Sequence, residues 1–503
     1  MAVNEQLDST IEQHDAVAVH SEGKRSTPLY IASRKVYPKA VSGYFRNLKW
    51  ILTAIFLGVY YITPWIRWDR GEHAPNQAVL VDILHRRFYF FGIEIWPQEF
   101  YYVAGLLIMG GVGLFLITSV AGRAWCGYAC WQTVWTDLFL VVERWIEGDR
   151  NARIRLENGP WTASRVAKFL AKNAVWLLIA LATGGAWIFY FADAPTLLKS
   201  FFTGQAPFVA YATVGVLTFT TFVFAGYMRE QVCIYMCPWP RIQSAMFDEN
   251  SLLVTYNAWR GEPRSLHRKK ALAAGQKVGD CVDCNACVAV CPTGIDIREG
   301  SQLGCITCAL CIDACNEVMD KMGLPRGLIS YSNTVTYNDN AAGKPTHLKA
   351  STVFRPRTLI YFTVWSLAGL LMMMSLFTRE RLDVNIVPDR NPLYTKLSDG
   401  GLRNGYQLKI LNMKQQPLTF RVEMQGLAEG SFAGDGLTMV SPREATVNVE
   451  ADKLKNVKIY VTMPPNTVKS ESSELAFKVT ETGPEGDGES LVTGTVFHGP
   501  KVK

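Results

Sequence analysis

The sequence predicts a multi-domain membrane protein, in which an α-helical bundle with five transmembrane spans carries an inserted cysteine-rich α+β module and a C-terminal all-β sandwich. Five apolar stretches each approach the roughly 20 residues that cross a bilayer. Eight of the 12 cysteines lie within residues 281–315. Beyond residue 378, short runs alternate apolar and polar residues with a period of two, which is typical of half-buried β-strands.

The predicted spans contain no charged residue and cover residues 50–66, 100–121, 174–192, 207–228 and 359–377. A content of 49% hydrophobic residues suits a membrane protein that carries soluble parts. The segment before the first span is polar and basic, and no small-residue cleavage site follows that span. We therefore predict a permanent anchor and not a removable signal peptide.

The numbers of Lys and Arg residues alternate between the predicted loops. Seven precede the first span and eight lie in 122–173, whereas four lie in 67–99 and one lies in 193–206. Because basic loops stay in the cytoplasm, we predict a cytoplasmic N-terminus, a cytoplasmic region 229–358 and a periplasmic region 378–503. The cytoplasm would also keep the thiols reduced. The same rule explains the net charge of +7, so no nucleic-acid partner is predicted.

Residues 124–142 are apolar enough to suggest a sixth span, but they include Asp137, Gln132 and two cysteines. A carboxylate inside the membrane is costly. A sixth crossing would also place the cysteine-rich module outside the cytoplasm. We therefore predict a re-entrant or interfacial helix here, with a spanning helix as the alternative.

The eight clustered cysteines form two runs, C-x2-C-x2-C-x3-C-P from Cys281 and C-x2-C-x2-C-x3-C from Cys305. In two-cluster bacterial ferredoxins with this spacing, the last cysteine of each run completes the other cluster. We therefore predict a ferredoxin-like module at about 275–320 with two [4Fe-4S] clusters, and structural zinc is the alternative. The predicted ligands are Cys281, Cys284, Cys287 and Cys315 for the first cluster, and Cys291, Cys305, Cys308 and Cys311 for the second.

The other four cysteines form two C-x3-C pairs, Cys126 with Cys130 and Cys233 with Cys237, each directly after a predicted span. On a helix, the i, i+4 spacing places both sulfurs of a pair on one face. We predict such helices, the second one ending before Pro238. If neighbouring spans bring the pairs together, four thiolates lie beside the ferredoxin module.

Soft thiolates at these pairs would select Cu(I), zinc or another iron–sulfur centre. Buried cysteines that only pack are the alternative. Nearby positive charge favours the thiolate over the thiol. The flanking residues predicted to have this effect are Arg123, Arg229 and Arg241.

The C-terminal region 378–503 is predicted to be an immunoglobulin-like antiparallel sandwich, because its alternating runs are separated by Gly, Pro, Asn and Asp turns. Its sequence shows no His–carboxylate or nucleophile arrangement, so we predict binding or scaffolding there. The predicted layout is an N-terminal segment 1–49, four spans with a C-x3-C pair in 50–228, the ferredoxin region 229–358, a fifth span 359–377 and the sandwich 378–503.

Five segments of the chain are characteristic of a known protein family. In order along the chain they are "RRFYFFGIEIWPQEF", "GRAWCGYACWQTVWTDLF", "REQVCIYMCPWPRIQSAMFD", the eight-cysteine module, and "DRNPLYTKLSDGGLRNGYQLKILN". With these segments the chain resembles the FixG/CcoG family of accessory proteins for cbb-type haem–copper cytochrome oxidases over nearly its whole length. The resemblance implies a bacterial inner-membrane protein. It further implies a cupric reductase that converts Cu(II) to Cu(I) in the cytoplasm for oxidase assembly.

The partners implied by the resemblance are a copper-exporting P-type ATPase and the oxidase assembly factors. Two other functions remain open: a quinol-linked electron-transfer subunit of a periplasmic reductase system, and a non-enzymatic assembly scaffold. The electron donor is not identified by the sequence, which shows no nucleotide-binding signal. A quinol and a soluble carrier are both compatible with it.

Overall fold

The computed structural model describes residues 35–71, 74–348, 353–379, 381–414, 416–451, 453–468, 470–483 and 486–500. Most of the predicted N-terminal segment 1–49 lies outside these residues. The chain forms two compact units, Met1–Ile66 with Gln77–Met372 and Arg67–Asn76 with Met373–Lys503.

The first unit is mainly helical. In the described residues the α-helices α1 to α15 are Tyr44–Ile62, Tyr101–Ala121, Ala124–Tyr128, Trp131–Glu147, Arg150–Asn158, Ala163–Ile188, Ala194–Phe202, Phe208–Thr221, Trp239–Ala245, Ala258–Gly261, Arg268–Ala273, Ala286–Ala289, Leu310–Met322, Thr334–Ala341 and Pro356–Thr378. Two π-helical turns, Phe222–Met228 and Val232–Met236, follow α8. A small antiparallel sheet consists of β1 (Val79–Asp82), β2 (Arg87–Phe90) and β3 (Ile93–Ile95).

Five helical segments are long and apolar enough to cross a membrane, which confirms the predicted number for the described part of the chain. They are Tyr44–Trp65, Pro97–Ala121, Ala163–Ile188, Phe208–Met228 and Pro356–Thr378.

The bounds of the third segment differ from the predicted span 174–192. The helix begins eleven residues earlier, where the Thr162 side chain accepts a hydrogen bond from the backbone N–H of Arg165. Its first turns carry charged residues, whose long side chains can reach water while the backbone remains helical. The absence of charge therefore marked only the apolar part of a longer helix.

Residues 124–142 form the short helix α3 and most of α4, separated by Ala129 and Cys130. Neither helix is among the five segments long and apolar enough to cross a membrane. In α4, buried residues include Val134, Phe139 and the carboxylates Asp137 and Glu143. This helix therefore buries charged as well as apolar side chains.

The cysteine-rich module combines helices with a two-stranded antiparallel sheet, as its α+β prediction requires. The strands β4 (Leu253–Tyr256) and β5 (Ile329–Ser332) come from either side of the cysteine runs. Helix α12 carries a cysteine of the first run, and helix α13 carries cysteines of the second run. Cysteines of both runs pack in one core with apolar residues of the two strands.

The second unit contains two antiparallel sheets, which confirms the immunoglobulin-like prediction. One sheet has the order β10-β13-β8-β6 with β7 beside β8, and the other has the order β11-β12-β9-β14-β15. The strands β6 to β15 are Leu382–Pro388, Thr395–Lys396, Leu402–Asn412, Leu418–Gln425, Ser431–Gly434, Thr438–Ser441, Glu444–Val449, Leu454–Met463, Ser472–Gly483 and Gly486–His498. The alternating apolar residues of both sheets form its core.

Candidate iron–sulfur and thiolate sites

The two cysteine runs fold into loops with the same backbone conformation. Asp283 and Asn285 of the first run have φ angles of 51° and 57°, and Thr307 and Ala309 of the second have φ angles of 56° and 61°. In each run these residues lie immediately before and after the second cysteine. Left-handed backbone turns the chain sharply. Each loop therefore curls its first three cysteines around one centre.

The loops line two small cavities of about 20 Å³ each. The cysteines that line the first cavity are Cys281, Cys284, Cys287 and Cys315. The cysteines that line the second are Cys287, Cys291, Cys305, Cys308 and Cys311. The last cysteine of each run thus reaches the cavity of the other run, as the ferredoxin arrangement requires.

The residues around both cavities fit an iron–sulfur cluster. Apart from the cysteines, the linings are mostly apolar, and Arg298 adds a positive charge to the first. Burial raises the pKa of Cys305 and of Cys315 to about 12. Such thiols keep their protons at neutral pH unless a metal displaces them. Soft sulfur donors in an apolar shell suit iron–sulfur chemistry better than a hard cation.

Equivalent backbone N–H groups also act on the sulfurs of the two loops. Burial raises the pKa of Cys284 and Cys308, while the N–H of Ala286 and the N–H of Leu310, respectively, act to lower them. Both N–H groups lie two residues after the cysteine concerned. A hydrogen bond to sulfur stabilises its negative charge, so the loops are preorganised for thiolate ligands.

The first C-x3-C pair does not lie on one continuous helix, contrary to the prediction. Cys126 lies in α3, which ends at Tyr128, whereas Cys130 has extended backbone with φ −63° and ψ 132°. Cys130 immediately precedes α4. The chain changes direction between two helices at this point, so the i, i+4 geometry is lost.

The prediction of a single helix is also wrong for the second pair. Cys233 lies in the π-helical turn Val232–Met236, and Cys237 has extended backbone with φ −78° and ψ 122°. The following Pro238 explains this, because a residue before proline is disfavoured in the helical region.

The two pairs nevertheless meet. Cys130 and Cys237 help to raise the pKa of the Cys126 thiol, and all three other thiols help to raise the pKa of Cys233, which requires that they lie nearby. The Sγ atom of Cys126 is also 3.2 Å from Oε1 of Gln243. We call Cys126, Cys130, Cys233 and Cys237 the thiol quartet.

Arg123 acts on Cys126 in the predicted direction, but burial outweighs its effect. Burial raises the pKa of Cys126 and of Cys233 to about 12. Arg229 instead forms an ion pair with the buried Glu143. In the described residues, no group of three or more His, Cys, Asp or Glu side chains has the arrangement of a single-ion site.

The quartet lies directly against the second cysteine loop. A Cβ atom at Gly127 would be 2.7 Å from the carbonyl oxygen of Ile306 and 3.0 Å from Cα of Cys308. The Tyr128 hydroxyl donates to the carbonyl oxygen of Cys308 at 3.1 Å. Arg123 donates to the carbonyl oxygen of Cys305 at 2.8 Å. The segment that holds Cys126 is therefore tied to the loop that lines the second cavity.

A buried ion cluster that the sequence did not reveal lies beside this loop. Nη1 of Arg46 donates to both carboxylate oxygens of Asp137, at 2.9 and 2.8 Å. Nζ of Lys49 is 3.7 Å from Oδ2 of Asp137, and all three side chains are buried. Burial opposes ionisation of Asp137, but Lys49 and Arg46 lower its pKa overall. Two features of the sequence could have indicated this ion cluster. Arg46 and Lys49 lie about one helical turn apart at the start of the first span, and Asp137 is a carboxylate within an apolar segment.

Models of three known protein families match different parts of the chain. A "4Fe-4S dicluster domain" matches residues 228–334, which contain both cysteine runs and Cys233 and Cys237. A "4Fe-4S binding domain" matches residues 103–149, which contain Cys126 and Cys130. An "IG-like fold at C-terminal of FixG" matches residues 372–500.

Whole-chain relatives agree with these matches. The "Nitrogen fixation protein FixG" of Rhizobium meliloti is 56% identical over 479 residues, which are 91% of this chain and 91% of the relative. The chain belongs to the FixG family. "Protein RdxA" of Cereibacter sphaeroides is 50% identical over 95% of this chain and 100% of its own length, and "Protein RdxB" of the same organism is 51% identical over 95% and 99%. This FixG family member is an iron–sulfur electron-transfer protein with apolar helices that can cross a membrane.

Proposed function

We propose that the protein reduces Cu(II) to Cu(I) at the thiol quartet, on the cytoplasmic side of the inner membrane, for assembly of a cbb-type oxidase. The observation that carries the proposal is the contact between the quartet and the second cysteine loop. Gly127 and Tyr128 lie between Cys126 and Cys130 in the chain, and they contact the loop at Ile306 and Cys308. A copper ion at the quartet would therefore lie next to the electron-carrying module.

When bound, [4Fe-4S] clusters supply single electrons. Cu(II) takes up one electron to become Cu(I), and the soft sulfurs of the quartet hold the product more tightly than the substrate. This difference in affinity favours reduction. Because burial keeps Cys126 and Cys233 protonated, copper binding at those sulfurs displaces protons to water.

The test replaces Cys233 and Cys237 by Ser in the full-length protein. Hydroxyl groups are hard ligands of similar volume, so the double variant should lose tight Cu(I) binding. It should retain parental iron and acid-labile sulfide and still be reduced by dithionite. After reduction, it should be reoxidised slowly by Cu(II), as followed by the visible absorbance of the iron–sulfur centres.

Two control variants allow this result to be interpreted. Met374→Leu removes an exposed sulfur outside the quartet and should leave Cu(I) binding and the reoxidation rate unchanged. Cys281→Ser should lose iron and sulfide because it removes a predicted cluster ligand. Reduction of Cu(II) at the parental rate by the Cys233→Ser/Cys237→Ser variant would show that copper is reduced elsewhere.

The proposed partners are a copper-exporting P-type ATPase, which would take the Cu(I), and the assembly factors of the oxidase. Their support is the sequence resemblance alone. In cells that lack the endogenous protein, the parental chain should restore copper-dependent oxidase activity, and the Cys233→Ser/Cys237→Ser variant should not. Equal restoration by both chains would favour a non-enzymatic scaffold.

A further inference from the structure

A cavity of about 390 Å³ lies among the membrane-spanning helices of the first unit and α4. Its lining includes Tyr60 of α1, Trp131 and Trp135 of α4, and Trp187 of α6. The ring centroids of Tyr60 and Trp135 are 5.5 Å apart, and those of Trp131 and Trp187 are 6.1 Å apart. The volume is in the range of small-molecule sites, and five of the eleven lining residues are aromatic.

Two polar groups in the lining have unused hydrogen-bonding capacity. The amide nitrogen of Gln132 donates to the carbonyl oxygens of Phe224 and Arg229, at 2.8 and 3.1 Å. Across the described part of the chain, however, no hydrogen bond involves Oε1 of Gln132 or the hydroxyl of Thr221. The neighbouring Thr220 differs, because its hydroxyl donates to the carbonyl oxygen of Val216 at 3.0 Å. Unused polar groups are costly in a membrane, so a ligand that supplies partners would be favoured.

The cavity also adjoins the thiol quartet. Trp131 and Gln132 directly follow Cys130 in the chain. The hydroxyl of Thr133 donates to the carbonyl oxygen of Cys126 at 2.6 Å. A redox-active ligand in the cavity would therefore be close to the proposed site of copper reduction.

We propose that this cavity binds the head group of an isoprenoid quinol, which serves as the electron donor; this inference rests on the proposed function. The location requires a ligand that dissolves in the bilayer. A lipid acyl chain would satisfy neither Gln132 nor Thr221. A quinol presents flat faces to the aromatic rings, a hydroxyl donor to Oε1 of Gln132 and an oxygen acceptor to the hydroxyl of Thr221.

The proposed reaction is balanced with the Cu(II) substrate as the oxidant. Oxidation of one quinol breaks two O–H bonds, releases two protons to water and yields a quinone and two electrons. Two Cu(II) ions accept one electron each. One quinol and two Cu(II) ions thus give one quinone, two protons and two Cu(I) ions.

The binding test uses the full-length holoprotein in quinone-free phosphatidylcholine vesicles, with a short-chain azidoquinone as a photoaffinity probe. We expect label on peptides that contain Trp131 and Thr221. Thr221→Phe fills the cavity and should reduce labelling at least about tenfold, equivalent to about 1.4 kcal/mol. Val216→Phe adds the same ring at an exposed position of the same helix and should label like the parent.

A subtler pair of variants tests the hydrogen bond itself. Thr221→Val removes the unused hydroxyl and should weaken labelling about fivefold, the effect of losing one typical hydrogen bond. Thr220→Val removes a hydroxyl already bonded to its own helix and should change labelling much less. Equal labelling of the parent and Thr221→Phe would overturn the proposal. So would complete displacement of the probe by added phospholipid with no effect of added quinone, because that result identifies an acyl-chain groove.

A second measurement separates this inference from the copper function. In the absence of copper and oxygen, decylubiquinol should bleach the iron–sulfur absorbance of the parent and of Val216→Phe, but not of Thr221→Phe. Dithionite should bleach all three, and dithionite-driven Cu(II) reduction should be normal in Thr221→Phe. Failure of quinol to reduce the parent would refute the quinol site alone. Parental Cu(II) reduction by Cys233→Ser/Cys237→Ser would refute the quartet function alone.

Discussion

At the scale of single residues, Lys49 is unusual because an ammonium group is buried beside a cysteine loop. Its side chain is 2% exposed, and Nζ is 3.7 Å from the carboxylate of Asp137. Although burial raises the pKa of Cys308, the charge of Lys49 acts to lower it. A positive charge near a sulfur ligand also stabilises the extra electron of a reduced centre. We therefore assign Lys49 a role in setting the reduction potential.

Replacing Lys49 by Met should lower the reduction potential of the centre at the second cavity, because the stabilising charge is lost while the apolar stem remains. A redox titration followed by electron paramagnetic resonance measures this potential. Lys49→Arg should keep a potential close to that of the parent. Lys321→Met removes a half-exposed charge that water and salt screen, so it should have little effect. Similar potentials for Lys49→Met and the parent would contradict the assigned role.

Gly127 packs so closely against the second cysteine loop that a larger residue would force the loop to move. An added Cβ would meet backbone atoms of Ile306 and Cys308, and backbone yields less readily than a flexible side chain. Gly127→Ala should therefore displace the second loop and lower iron and sulfide from the content of two clusters towards that of one. Gly185→Ala places its Cβ in open space on a helix and should retain the full content. Full iron and sulfide in Gly127→Ala would show that the loop tolerates the displacement.

At the scale of elements, α4 organises its neighbours through Glu143. This fully buried carboxylate pairs with Arg153 of α5 and with Arg229, and Nζ of Lys172 in α6 is 3.8 Å away. Burial opposes the ionisation of Glu143, but Arg229 and Arg153 lower its pKa below the ordinary value of 4.5. Removing one partner of such a buried network leaves uncompensated charge.

The effect of Glu143→Gln should depend on pH. Because the folded pKa is depressed, the stabilising contribution is fully present above the unfolded pKa and is lost as pH falls through the folded pKa. Near neutral pH the variant should be less stable by about 3 to 5 kcal/mol. This difference should stay constant down to about pH 5 and shrink at lower pH. The measurement is the free energy of unfolding by denaturant in detergent micelles.

Glu317→Gln is the matched control for Glu143. Glu317 pairs with Lys321 at 2.7 Å, but both side chains are about half exposed. Such surface pairs contribute about 0 to 1 kcal/mol. A similarly small loss for Glu143→Gln, or a loss that grows with acidification, would contradict the assigned role of Glu143.

At the scale of the whole molecule, the five membrane-crossing segments and the alternating basic loops predict which side of the membrane each region faces. Alkaline phosphatase fused after Arg381 should be active, because this enzyme needs the oxidising periplasm. The same enzyme fused after Gly275 should be inactive. Enzymatic assay of the two fusions in intact cells measures the orientation, and the opposite pattern would overturn it.

Local sequence patterns determined much of the architecture. The x2-x2-x3 spacing indicated two cluster loops, uncharged apolar stretches indicated five spans, and period-two alternation indicated the sandwich. Each pattern depends on neighbours within one loop, helix or strand, where spacing alone determines which side chains share a face. Even so, the third span began at Ala163 and not at residue 174, because a helix can continue through charged residues that a hydropathy pattern excludes.

Only the tertiary structure decided which distant residues meet. It brought Cys126 and Cys130 to Cys233 and Cys237 without the predicted continuous helices. It also paired Arg46 with Asp137, which is 91 residues further along the chain. Helix packing and the turns between helices control these contacts, and no local periodicity encodes them. The sequence by itself therefore determined the electron-carrying chemistry, whereas the fold determined what lies beside it.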